Sequence, residues 1–216
     1  WHDAFAYAQI KTEWKAPRLP LHLYLSARFL GDARGQLDAG LGPQFLSERS
    51  LILGVGVSTP VKHGLSAWFE AGEMLRYRQT PADASRMKPD YRGGISYAKG
   101  FGNLLRPESH GPFYEFTADG VFASQFQNDM LAYSQHRAGY TWGGRVQALW
   151  NWHATIDSKL QYWANIAETG PGIRVRVAAP LTVSVNFLRG LYLRGGSPYG
   201  ANYDEIRVGL WYAVTK

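Results

Sequence analysis

The sequence predicts an all-β fold: a single antiparallel up-and-down transmembrane β-barrel of about 12 strands spanning residues 1–216. Three observations carry that expectation. First, hydrophobic residues make up 45% of the chain and charged residues 19%, below the roughly 25% charged share of soluble domains, so the surface is short of charge. Second, aromatic residues reach 14%, with 8 Trp and 13 Tyr, the amphipathic rings that gather where an apolar band meets water. Third, the mean hydropathy is still slightly negative, −0.28; a barrel averages lipid-facing apolar and inward polar residues in this way. The longest charge-free runs, Ser50 to Val61 and Val177 to Leu188, are about a dozen residues, short of the ~20 of a spanning helix.

The strands follow from period-two alternation, taken in chain order. Leu19, Leu21, Leu23, Leu25, Ala27 and Phe29 alternate with Pro20, His22, Tyr24, Ser26, Arg28 and Leu30. The next apolar run is Leu51 to Val57. Val146, Ala148, Trp150, Trp152, Ala154 and Ile156 oppose Arg145, Gln147, Leu149, Asn151, His153, Thr155 and Asp157. Ile173, Val175 and Val177 oppose Arg174 and Arg176, and Leu181, Val183, Val185 and Phe187 oppose Thr182, Ser184 and Asn186. Ile206, Val208, Leu210, Tyr212 and Val214 oppose Arg207, Gly209, Trp211 and Ala213. None of these runs has helical spacing.

Tight turns are expected at Gly31-Asp32, Pro60 to Gly64, Lys99 to Asn103, Gln127 to Asp129, Trp142 to Arg145, Asp157 to Lys159 and Ala178 to Pro180. Longer loops are expected at Asp32 to Gln44, Gln79 to Pro89, Leu104 to Pro112 and Gly195 to Asp204, one rim carrying turns and the other loops. The tyrosines of the last loop are expected to anchor at the interface. The competing fold is a soluble β-barrel or sandwich with its apolar faces inward. The polar faces speak against it, because turned outward they would give a surface with little charge.

Several segments then resemble a known family. Gly40 to Ser50 leading into Leu51 to Val57, Asp90 to Gly94, Ala167 to Arg176 and Leu188 to Gly195 look like the C-terminal barrel domain of the phage-adsorption protein A family. That family is allied to exopolysaccharide-export barrels such as the cellulose-synthase operon protein C. The resemblance implies a bacterial outer-membrane location, export or surface adsorption of an envelope polymer, and periplasmic repeat-containing or other envelope partners. The chain lacks the helical repeats that precede those barrels, and it ends on Lys216 rather than an aromatic residue. It begins at Trp1 without a basic, apolar leader, as expected of a processed chain or a fragment.

If the apolar faces meet lipid, Arg28, Arg145, His153, Arg174, Arg176 and Arg207 share the inner side with Lys11. Such a basic wall would favour an anionic polysaccharide, in keeping with a net charge of +6. Tyr24 and Trp68 would offer ring faces to sugars. The alternative is that these cations pair with Glu70, Glu115, Asp119 and Asp157 and close the lumen, making the barrel a structural anchor for a larger assembly. A third reading is an outer-membrane lipid hydrolase using Ser134 and His136, two apart on one face. No catalytic role is expected, no cofactor and no nucleic-acid partner; the histidines lack ligand spacing, and there are no cysteines. Residues 32–38 are expected to be a solvated rim loop rather than a calcium loop.

Overall fold

The computed structural model describes residues 4–32, 50–59, 62–77, 87–124, 128–160, 165–193 and 202–214. Its strands are β1 (Phe5–Lys15), β2 (His22–Asp32), β3 (Ser50–Ser58), β4 (Leu65–Arg76), β5 (Met87–Gly102), β6 (Gly111–Ala123), β7 (Asp129–Trp142), β8 (Val146–Asp157), β9 (Ile166–Ala178), β10 (Leu181–Tyr192) and β11 (Asn202–Tyr212). They lie in sequence order in one antiparallel up-and-down sheet of 11 strands, and the described residues hold no α-helix. Eleven strands are thus described where about 12 were expected. β1 and β11 are the edges of the sheet.

Tight turns form where the backbone can take positive φ. His63 and Gly64, at φ 52° and 89°, join β3 to β4, and Lys62 and Leu65 exchange backbone bonds of 3.0 and 2.9 Å across them. Gly143 and Gly144, at 52° and 60°, do the same between β7 and β8, with the Arg145 N–H donating to the Trp142 carbonyl at 3.0 Å. Two successive left-handed residues make the turn whose twist matches that of a hairpin. Gly144 is also required by proximity: a Cβ there would collide with the Arg106 carbonyl.

Because the strands alternate in direction, β1–β2, β3–β4, β5–β6, β7–β8 and β9–β10 are joined at one end of the strands and the remaining consecutive pairs at the other. The expected division into turns and loops therefore needs correcting. Residues 104–110, expected among the long loops, share an end with the tight turns, while Asn128 and Asp129 and Asp157 to Lys159 belong to the opposite end. Lys99 to Gly102 continues β5 instead of turning, and Tyr203 is already in β11. Of the expected loops, residues 33–44, 79–86 and 195–201 lie outside the described residues.

The chain divides into two compact units, residues 1–96, 119–132 and 157–164 forming the first and 97–118, 133–156 and 165–216 the second. Each has the same inverted polarity. In the first, Leu23, Leu25, Leu53 and Val55 are exposed while Ser26, Arg28, Glu70 and Asp90 are buried. A small apolar cluster of Leu30, Ile52 and Met74 shares that buried face. In the second, Ile206, Val208 and Leu210 are 71%, 67% and 68% exposed, whereas Gln147, Asn151 and Glu168 are at 0%, 2% and 3%. Desolvating such polar groups is tolerated only where they find partners, and the partners define the site.

Candidate functional site

In the first unit β1 to β5 present a polar cavity of about 340 Å³ at the tight-turn end. Alternation puts Lys11 and Glu13 of β1, His22, Tyr24 and Arg28 of β2, and Trp68 and Glu70 of β4 on its wall, with the hydroxyls of Ser58, Thr59, Ser66 and Ser96 between them. The charges are compensated locally. Lys11 Nζ lies 2.6 Å from a Glu13 carboxylate oxygen, the Arg28 guanidinium meets the Glu70 carboxylate with both side chains buried, and Arg92 Nε lies 2.6 Å from Asp90 Oδ2.

Glycines of β3 make room for two of these groups. The Glu70 carboxylate occupies the space over Gly54, and the Tyr24 ring that over Gly56. Lys11 covers the Tyr24 ring at 3.9 Å from its centroid, a cation–π contact. Tyr24 is thus engaged through Gly56 and Lys11, while the Trp68 ring lies where a Cβ at Gly94 would crowd it and lines the cavity.

The second unit carries two charge networks. Arg174 of β9 grips Glu115 of β6 with both guanidinium nitrogens, at 3.0 and 2.9 Å, and also donates to Gln147 Oε1 at 3.1 Å. Arg137 of β7 approaches the same carboxylate at 3.6 Å and donates to Asn151 at 3.2 Å; Asn151 in turn donates to Asn186 at 2.9 Å. A fork-on-carboxylate pair linking β6 to β9 ties strands that are not sheet neighbours. The second network centres on Glu168, which lies 2.5 Å from His153 Nε2, accepts from Arg207 at 2.9 Å and accepts from the Tyr203 hydroxyl. Arg207 also pairs with Glu205 at 2.7 Å.

The sequence-predicted residues divide between these places. Arg28, Tyr24 and Trp68 meet in the first-unit cavity. Arg174, His153 and Arg207 enter the second-unit networks, each opposite a carboxylate. Arg176 is half-buried on the same side of β9 as Arg174, with no ion-pair partner among the described residues. Arg145 requires correction: it sits exposed in the turn 143–145 rather than on the inner face of β8, because the hairpin turns there. Of the expected acidic partners, Glu70 and Glu115 are engaged. Asp157 is buried and has a partner; Asp119 has none among the described residues.

Tyr203, expected to anchor at the interface from the last loop, instead lies in β11 and donates its hydroxyl to Glu168. Glu168, which the alternation did not single out, stands in step with Gly170, Gly172 and Arg174 on β9. Ser134 and His136 lie in step with exposed Met130 and Trp142 on the apolar face of β7. His136 Nδ1 is 2.6 Å from the Tyr114 hydroxyl, and its ring is 4.8 Å from that of Phe116; a phenol holds the nitrogen that a carboxylate would orient in a triad. No group of three or more His, Cys, Asp or Glu suited to a metal occurs among the described residues.

Comparison of the chain with protein-family models, curated proteins and solved structures finds no match.

Proposed function

We infer that the chain is a bacterial outer-membrane β-barrel that anchors an envelope polymer or a larger envelope assembly, its interior closed by paired charges rather than open as an anion channel. One observation carries this reading: the side chains withdrawn from solvent include Arg28, Glu70, Gln147, Asn151, His153 and Glu168, while 40 large hydrophobic residues are exposed among the described residues. Soluble monomers rarely expose extended apolar surface, whereas lipid covers it without cost. The pairing of Arg174 with Glu115, and of Arg207 and His153 with Glu168, supports a closed interior, since each cation already has its anion. The first-unit cavity favours a glycan as the polymer: Trp68, Lys11 and a set of hydroxyls provide an apolar face beside hydrogen-bonding groups. A lipid hydrolase has less support, because His136 is engaged by Tyr114.

Planar-bilayer recording separates anchor from channel. The wild-type chain is expected to insert without a discrete conductance, and Glu115→Ala, which frees Arg174 and Arg137, to give transient openings. A steady anion-selective conductance from the wild type would overturn the closed interior.

A further inference from the structure

On the apolar face of the first unit, β1 to β4 are crossed by a groove of about 560 Å³. The strand register explains it. Phe29, Leu51 and Leu75 stand in one row across β2 to β4, and Leu23, Val57 and Phe69 in a parallel row six residues away on each strand. Between these ridges lie two register rows, Ile10–Ala27–Leu53–Glu73 and Thr12–Leu25–Val55–Ala71, in which Thr12, Ala27 and Ala71 are small. Three inter-strand spacings make the groove about 14 Å long.

Its end on β4 is occupied by Glu73. This residue alternates with exposed Phe69 and Leu75, so it belongs to the apolar face rather than to the charge networks. It is half-buried in the groove wall, with no ion-pair or hydrogen-bond partner among the described residues. It lies three positions before Arg76, the last residue of β4, at the end of the strand where a lipid headgroup would sit next to an inserted strand. A carboxylate on a lipid-facing surface is costly without a counter-charge, and its natural partner is a cation.

The geometry points to a lipid site: the groove holds an acyl chain of a membrane lipid whose headgroup carries a primary ammonium, and Glu73 receives that ammonium. The site rests on the membrane reading above. Thr12, Ala27 and Ala71 leave the depth for the chain; Glu73 supplies the headgroup selectivity, which the apolar lining lacks.

The test is native mass spectrometry of the full chain released from vesicles of equal parts phosphatidylethanolamine and phosphatidylglycerol with identical chains. The wild type is expected to retain one phosphatidylethanolamine about three- to fivefold in preference, the range of one partly exposed ion pair. Glu73→Gln is expected to bring the ratio to parity, and Ala71→Trp, which fills the groove, to lose the bound lipid. A wild type that inserts but retains both lipids equally, or a preference unchanged in Glu73→Gln, would overturn the site and leave the membrane reading intact. So would disulfide-linked dimers of Ala71→Cys in the otherwise cysteine-free chain, by assigning the groove to a second copy. A chain that stays folded and monomeric without lipid or detergent would instead remove the membrane reading, and the site with it.

Discussion

Arg174, Glu115 and Arg137 show how a single carboxylate can organise the polar face of the second unit. Glu115 receives both arms of the Arg174 fork and lies near Arg137, so removing it leaves two guanidinium groups facing each other without their shared anion. Glu115→Ala is expected to lower the free energy of unfolding in vesicles by about 2–3 kcal/mol, the scale of hydrogen bonds to charged groups. Arg174→Ala should cost less, because Arg137 still answers the carboxylate. A double-mutant cycle in urea should show coupling between positions 115 and 174; strictly additive effects would mean that the pair contributes nothing. The arginines at 28, 174 and 207 could be read from alternation as inward-facing, since residue parity alone decides the face. Which anion each meets could not. Glu115 and Arg174 are 59 residues apart, and their meeting depends on how the sheet curves, which period-two patterning does not encode.

The hairpins set the register that gives each face its polarity, and the two glycines of the 143–144 turn separate two requirements. Both have positive φ, yet a Cβ at Gly143 would meet nothing within 4 Å, whereas one at Gly144 would strike the Arg106 carbonyl. Gly143→Ala is therefore expected to cost about 1 kcal/mol, the strain of a left-handed alanine. Gly144→Ala should cost clearly more and also loosen the 103–110 connection, whose Ser109 carbonyl accepts the Gly144 N–H at 2.7 Å. Equal unfolding midpoints for the two variants would contradict this. At this scale β2, β8, β9, β10 and β11 were legible, because each carries a run of apolar-polar alternation broken at most by a single large apolar residue such as Leu149 or Trp211. The connections were less so. Residues 103–110 are rich in turn formers, like a rim loop, yet they close a hairpin at the tight-turn end, and strand parity rather than composition determines that.

At the scale of the molecule, inverted polarity is the property from which the proposed function follows. The sequence made it legible in advance through scarce charge, abundant Trp and Tyr, and strands long enough to cross a bilayer. What it left open was whether the inner cations face open water or their own anions, and the ion pairs of Arg28, Arg174 and Arg207 favour the second. The most direct test of the membrane reading uses the absence of native cysteine. Single cysteines at positions 182 to 187 of β10, spin-labelled in vesicles, would be probed with oxygen, which concentrates in lipid, and with a water-soluble nickel chelate. Labels at Val183, Val185 and Phe187 should collide with oxygen and be shielded from nickel, and those at Thr182, Ser184 and Asn186 should lack that preference, giving a period of two. Nickel access at 183, 185 and 187 in the folded chain would place the apolar face in water and contradict the membrane barrel.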